Sequence, residues 1–503
     1  MEAVSLLLDG FATALTPTNL FWLFVGVVVG TFVGILPGLA PSGTLAILLP
    51  LAVNLEPSTA LIMMAGIYYG AKYGGSTTAI LLNIPGESAS VVTCLDGYEL
   101  SKQGRAGPAL GMAAIASFIA GTVGVVGVTF LAPVVAGFAV RMGPPEYAAL
   151  MAFAFVLVVM LAGDSLLKGF ISMALGLLLS TVGIDLFSGQ QRYTFGAIEL
   201  FGGIEFIALS IGLFAVAEVL VNVEQRLGHQ LFTVPSKLRE LLPNADDFRR
   251  SRVAIAQSSV VGFFIGVIPG AGSTVASFIS YTIAKRFSKT PERFGHGAIE
   301  GVAAPEAANN SETGGALIPL FTLGIPGSSS TAIMLGALVL FGLNPGPLLF
   351  TENPEVVWPI IASMYLGNVA LLVLNLPMVP LLAKILLIPY WVLYPGILVI
   401  SIVGVYSVRS SFFDVWLLAA FGILGYVMKK TDIPAAPLLL AFVLGRIAEN
   451  AIRQSMVLSN NDPTIFLTRP IAAVFLGMAV LLLLSLGIGN AQGVRREVME
   501  VED

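Results

Sequence analysis

Cysteine, histidine and charge are what this 503-residue chain has least of. Its one cysteine, Cys94, excludes an internal disulfide and any cysteine metal cluster. The two histidines, His229 and His296, stand far apart in sequence, make no ligand pair and leave no His-Glu-x-x-His signature. Charged residues are 11% of the chain, against about 25% in soluble domains. There is no basic stripe and the net charge is −5, so nothing speaks for nucleic acid as a partner. A Gly-x-x-x-x-Gly-Lys-[Ser/Thr] nucleotide loop is missing as well. The first twenty residues carry no Lys or Arg, so a cleaved secretory leader is not expected.

What fills the chain instead is apolar surface: 56% hydrophobic residues and a mean hydropathy of +0.90. That composition describes a polytopic membrane protein embedded in a lipid bilayer. Many apolar stretches approach the roughly 20 residues that a spanning helix needs. Spans are expected near 108–138, 144–163, 166–183, 205–222, 357–383, 389–408, 411–428, 434–456 and 470–489. The 434–456 stretch is unusual in holding Arg446, Glu449 and Arg453.

Interruptions of these runs occur in duplicate. Gly30-Thr-Phe-Val-Gly34-Ile-Leu-Pro37-Gly38 returns as Gly262-Phe-Phe-Ile-Gly266-Val-Ile-Pro269-Gly270. Gly74-Gly75 with Ile84-Pro85-Gly86 returns as Gly314-Gly315 with Ile325-Pro326-Gly327. Pro37 and Pro269 lie 232 residues apart, and Pro85 and Pro326 lie 241 apart, as duplication with small insertions would leave them. Pro-Gly inside an apolar run removes a backbone donor and breaks the helix. Such breaks survive in lipid only where they are buried in protein or line a cavity. Matched breaks in two halves point to a transporter's binding site.

Basic residues set the expected orientation. The first hairpin, built from runs at 20–36 and 44–55, has no Lys or Arg near either end, since the first basic residue is Lys72. The second, about 253–284, follows Arg249, Arg250 and Arg252 and precedes Lys285, Arg286, Lys289 and Arg293. Basic loops stay cytoplasmic. The hairpins therefore enter from opposite faces. The expected fold is all-α and polytopic, with two inverted-topology repeats, each a re-entrant helical hairpin plus an interrupted crossing helix (58–95 and 299–343). Residues 1–222 form repeat one, 223–252 a cytoplasmic linker with a short amphipathic helix at 237–242, and 253–503 repeat two.

Polar residues gather at the breaks. Gly38, Ser42 and Thr44 open the returning half of the first hairpin; Gly270, Ser273 and Thr274 open that of the second. A half-helix start presents unpaired N–H groups that suit an anion, and its hydroxyls can either cap the helix or donate to a carboxylate. The crossings add Lys72, Ser76 and Thr77 with Pro85 and Gly86 in one half, and Gly327, Ser328 and Ser329 in the other. All of these are expected to line a substrate site. Asn83, Asn309, Asn310, Glu312 and Thr313 are the candidates for holding Na⁺. Counted from the glycine pairs, Lys72 falls opposite Glu312. Either those two form a structural salt bridge, or Lys72 meets an anionic substrate while Glu312 or Glu306 couples a cation or proton.

Several motifs taken together resemble one family: Gly-Ile-Leu-Pro-Gly-Leu-Ala-Pro-Ser-Gly at 34–43, Tyr-Gly-Gly-Ser-Thr-Thr at 73–78 and Asn-Ile-Pro-Gly-Glu at 83–87. Gln-Gly-Arg-Ala-Gly-Pro-Ala-Leu-Gly at 103–111, Gly-Val-Ile-Pro-Gly-Ala-Gly at 266–272 and Pro-Glu-Ala-Ala-Asn-Asn at 305–310 belong to the same set. This resembles the large membrane subunit of the tripartite tricarboxylate transporters, from about residue 10 to 490. The resemblance implies a multi-pass permease of the bacterial inner membrane, partnered by a small membrane subunit and a periplasmic solute-binding protein. It also implies symport of citrate-like or other carboxylates with Na⁺ or H⁺, without a further cofactor and without enzymatic activity. An elevator-like movement of the hairpins is favoured over rocking, because the polar breaks cluster at the start of each repeat. A passive anion channel is the alternative; an intramembrane protease lacks its paired catalytic groups. The sequence leaves open whether the subunit forms a homodimer.

Overall fold

Prolines open many of the helices, as expected at a position whose N–H has no helical partner. Pro17, Pro41, Pro57, Pro144 and Pro354 each begin one. The structure, a computed structural model, describes residues 2–36, 40–161, 165–185, 187–224, 238–270, 272–378, 381 and 390–484. In chain order the helices of more than one turn are α1 (Glu2–Ala14), α2 (Pro17–Ile35), α3 (Pro41–Ala52), α4 (Pro57–Leu82), α5 (Val91–Lys102) and α6 (Ala106–Ala139). Then come α7 (Pro144–Leu161), α8 (Leu166–Ser180) and α9 (Phe206–Glu224). The second half contributes α10 (Ala245–Val267), α11 (Gly272–Phe287), α12 (Glu300–Leu323), α13 (Ser329–Leu340) and α14 (Pro354–Asn375). It ends with α15 (Tyr390–Arg409), α16 (Phe412–Lys430), α17 (Ala435–Leu458) and α18 (Pro470–Leu484). Among the described residues six helices, α2, α6, α9, α14, α16 and α17, are long and apolar enough to cross a membrane, and shorter apolar helices accompany them. The protein is an all-α polytopic membrane protein.

Most expected spans end within a few residues of the observed helices. Three differences have physical causes. Helix α1 is too short to register as a span; it is held by close approach to α14, where a Cβ on Gly10 would meet the Trp358 carbonyl oxygen at 2.5 Å. Helix α10 starts at Ala245, well before the expected hairpin, because Asn244 and Asp247 form a reciprocal capping box. Two-residue strands, β1 (Gly183–Ile184) and β2 (Gln191–Arg192), pair antiparallel after α8.

The chain forms two compact units, one of residues 1–137 with 205–435 and one of 138–204 with 436–503. In the smaller unit the β-hairpin explains the charges on α17. Arg192 Nη1 donates to Glu449 at 2.7 Å, and Arg453 donates to Asp185 and to Glu449 at 2.8 and 2.7 Å. The Phe187 and Ser188 backbone N–H groups, with Arg453, hold the Asp185 carboxyl below its ordinary value. This carboxylate thus supports the hairpin above the ordinary pKa of about 3.9, and the support is lost as pH falls through the lowered native value.

In the larger unit, glycines bring helices into backbone contact. Added Cβ atoms on Gly26, Gly30 and Gly34 of α2 would lie 2.2–2.4 Å from the carbonyl oxygens of Met63, Ile67 and Ala71 on α4. The numbers rise together, so α2 and α4 run in the same sense. Gly262 and Gly266 of α10 approach Ala308 and Glu312 of α12 at 2.4 and 2.3 Å in the same manner. Small residues permit this spacing. α4 and α12 themselves run in opposite senses: Ser76 of α4 meets Glu306 of α12, while Asn309, further along α12, joins the earlier Lys72 through Glu87.

These contacts correct the register between the halves. Gly74 sits against Thr31 and Gly34, and it is Gly315, not Gly314, that sits against Phe263 and Gly266. Gly86 lies over Gly75, and Gly327 over Ala316. The left-handed residue that ends α4, Asn83 (φ 58°), matches Gly324 (φ 68°), which ends α12. A constant offset of 241 thus holds from Gly74 onward, and Lys72 corresponds to Thr313 rather than Glu312. The two glycine pairs look equivalent in sequence only because a one-residue slip keeps one glycine aligned.

Candidate functional site

α4 and α12 are each followed by a chain reversal rather than a simple gap. After Leu82 the backbone doubles back, so that Gly86 and Glu87 lie beside Gly75, and Ser90 follows them. α5 then runs on past the end of α4, where Ser101 Oγ donates to the Ile80 carbonyl at 2.7 Å. Gly327 lies beside Ala316 in the same way. No side chain would fit at Gly86: its Cβ would meet Gly34 O at 2.1 Å and Gly75 Cα at 2.7 Å. Gly86→Ala is expected to cost about 1–3 kcal/mol, whereas Gly137→Ala, with nothing within 4 Å, should be neutral or slightly stabilising. Thermal unfolding of the purified variants checks both.

The reversal delivers Glu87 to Lys72. Lys72 Nζ donates to Glu87 Oε2 at 2.9 Å and to Ser273 Oγ at 2.6 Å, and it stands 5.6 Å from the Tyr68 ring centroid. Asn309 Nδ2 donates to the other Glu87 oxygen at 2.6 Å. One lysine therefore ties together α4, the first break, the start of α11 and α12. Nearby, Ser76 and Thr93 each donate to Glu306 at 2.5 Å, and Asn310 donates to Ser117 at 2.7 Å. Glu312 is 1% exposed, and neither of its oxygens has a partner among the described residues. Asn309 Oδ1 and Asn310 Oδ1 are likewise unpartnered. One lysine and three glutamates are thus buried in this region, a concentration of charge that is costly and rare in a membrane interior.

The tips of the hairpins contribute unequally. Gly270 (φ 84°) donates its N–H to Gly327 O at 3.1 Å, joining the second tip to the second break. Thr274 donates to Ser88 at 3.0 Å, reaching the first break. In the first hairpin, Ser42 and Thr44 are buried, but among the described residues no side chain caps α3 and Thr44 Oγ1 has no partner. The start of α3 rests near Phe214, within a π-helical turn of α9 at Gly212–Val216. Gly38 lies outside the described residues. Ser328 caps α13 through a reciprocal box with Thr331, Ser329 is half-buried, and Pro85 is half-buried at the reversal. Thr77, Ser76 and Tyr73 line a cavity of about 10 Å³ with Ser117, room for about one water. Asn83 is exposed, and Thr313 Oγ1 bonds back to the Asn309 carbonyl at 3.0 Å.

Two residues of weight were not singled out from the sequence. Glu87, the ion-pair partner of Lys72, stands in the sequence as one polar residue of the run Pro85-Gly86-Glu87-Ser88-Ala89-Ser90, with nothing to single it out as the lysine's partner. Asp96, fully buried on α5, accepts the N–H groups of Gly295, Gly297 and Ala298 at 2.7–2.9 Å and the Tyr281 hydroxyl at 2.9 Å. It pins the start of α12 to α5. Asp96→Ala would strand four donors, three backbone N–H groups and the Tyr281 hydroxyl, each at about 1–3 kcal/mol; loss of folded protein in a detergent gel-filtration profile is the expected outcome.

Helices broken in matched places, with buried charges collected where the breaks meet, define a polytopic helical membrane protein of the transporter class. Comparison with known proteins makes this specific. The chain belongs to the Tripartite tricarboxylate transporter TctA family, which it matches over residues 20–440. It is 45% identical over 503 residues, the full length of both chains, to the "Uncharacterized 52.8 kDa protein in TAR-I ttuC' 3'region" of Agrobacterium vitis. A second protein from that organism, "Uncharacterized protein in TAR-II ttuC' 3'region", is 45% identical over 242 residues, 48% of this chain and 100% of its own length. No solved structure matches.

Proposed function

We propose that this chain is the large permease subunit of a binding-protein-dependent secondary transporter of the bacterial inner membrane. It imports citrate-like or other carboxylates together with Na⁺ or H⁺. The small membrane subunit and the periplasmic solute-binding protein are its partners, as the family's tripartite organisation supports. The opposite senses of α4 and α12 support inverted repeats, which give inward- and outward-facing states related conformations.

The observation that carries this reading is Lys72, held between Glu87 and Ser273 where the first break, the second tip and α12 meet. A substrate carboxylate takes the place of Glu87 on Lys72 and accepts hydrogen bonds at the start of α11. The anion then adds to a region that already carries more acid than base, so cations must enter with it. Glu312, with its two unpartnered oxygens, is the group to receive them, as a Na⁺ ligand with the Asn309 and Asn310 side-chain oxygens or as a proton acceptor.

Radiolabelled uptake into proteoliposomes containing all three proteins, with Na⁺ and proton gradients imposed separately, tests the reading. Saturable accumulation driven by one of the gradients is expected. Conductance that does not saturate and ignores both would instead establish an anion channel.

A further inference from the structure

The legs of the second hairpin, at the end away from Ser273, enclose a different feature. The first turns of α10 and the last turn of α11 border a cleft of about 650 Å³. Arg249, Arg250, Arg252, Lys289 and Arg293 line it, against the two acidic groups Asp246 and Glu300. Arg250 is committed, donating to Glu300 at 3.0 Å and to Thr290 at 3.1 Å. The other four cations make no ion pair among the described residues. Deeper in the lining, the Gln257 amide nitrogen is buried without a hydrogen-bond partner among the described residues. One oxygen of Glu300 is also unpartnered among the described residues, but the other is neutralised by Arg250.

The wall then turns apolar, through Val253 and Phe287. From Val253 (62% exposed) an open stripe continues along α10 through Val260 (51%) and Phe264 (59%). Their spacing places the three on one helical face. Positive charge at the water-facing end and a greasy track leading away from it match the two ends of a phospholipid. A basic flank that only fixed topology would need neither an enclosing cleft nor a stranded amide donor within it.

We propose that this cleft binds the phosphate headgroup of an anionic phospholipid, with an acyl chain along Val253, Val260 and Phe264. Clustered Lys and Arg beside a membrane helix attract anionic lipids. A lipid seated here touches both legs of the hairpin that carries Gly270 and Ser273, and so fixes the spacing of its arms. The inference requires a membrane-embedded chain but not carboxylate transport, so either can fail alone.

Native mass spectrometry of the purified full chain tests it, after incubation with equal concentrations of phosphatidylglycerol or phosphatidylcholine and, separately, with inorganic phosphate. Phosphatidylglycerol should be retained at least about tenfold over phosphatidylcholine, and inorganic phosphate should not be retained. Removing headgroup cations in R252Q/K289Q should lower phosphatidylglycerol retention about fivefold per side chain, and Phe264→Ala should weaken it without altering salt sensitivity. If the double variant does not fold, raising ionic strength on the unaltered chain must release phosphatidylglycerol selectively. Equal retention of both lipids, or retention indifferent to R252Q/K289Q and to salt, would overturn the proposal. Capture of inorganic phosphate as strong as that of the lipid would overturn it too, since a free-anion site would explain the charges.

Discussion

Lys72→Gln is expected to abolish uptake, by about 100-fold or more, and to lower the amount of folded protein as well. The substitution leaves Glu87 buried with no counter-charge, a loss that typically costs about 3–5 kcal/mol. Folding and transport would then fall together and say little about the role of the lysine. The double variant K72Q/E87Q separates them. Exchanging both members of a buried ion pair for neutral groups of similar shape is often neutral for stability, and Asn309 still has an amide oxygen to bond. Folded protein should return to nearly the unaltered amount while uptake stays about 100-fold down, because the carboxylate has lost its cation. Recovery of uptake along with stability would make Lys72 a structural residue only.

Glu312→Gln is expected to separate stability from function in the opposite direction. Burying an ionised carboxylate without a partner is costly, and no described residue bonds to either Glu312 oxygen. The amide removes that cost, so the thermal midpoint should hold or rise, with stability higher by about 1–3 kcal/mol. Gradient-driven accumulation should meanwhile fall about 100-fold, because the receiving group for the coupling cation is gone. A destabilised variant that still accumulates substrate would show that Glu312 packs rather than couples. Repeating the assay under a Na⁺ gradient and then a proton gradient identifies which cation the residue serves.

Helices were legible in this sequence because lipid leaves one strong signal, long apolar runs, and its interruption by Pro-Gly is equally plain. Hence the ends of α6, α9 and α16 fall close to expectation. The polar breaks were legible for the same reason, and Lys72, Ser273 and Asn309 do come together. Their partners were less so. Glu87 reaches Lys72 only through the doubling back after Leu82, a path that no spacing announces. The register slip arose because Gly74-Gly75 and Gly314-Gly315 align as letters, whereas the backbone contacts to Gly34 and Gly266 decide which glycine matters. Asp96 was hidden because its partners are main-chain N–H groups about 200 residues away, which carry no sequence signature. The short β-hairpin escaped notice for a similar reason: two-residue strands leave no alternation to read, and their charged partners lie on α17, far along the sequence.

The most direct measurement is an experimental structure of the protein loaded with a saturating tricarboxylate. A ligand carboxylate is expected within hydrogen-bond distance of Lys72 Nζ and Ser273 Oγ, with Glu87 turned away from the lysine. A ligand bound elsewhere, with the Lys72–Glu87 pair still closed at about its present 2.9 Å, would contradict it.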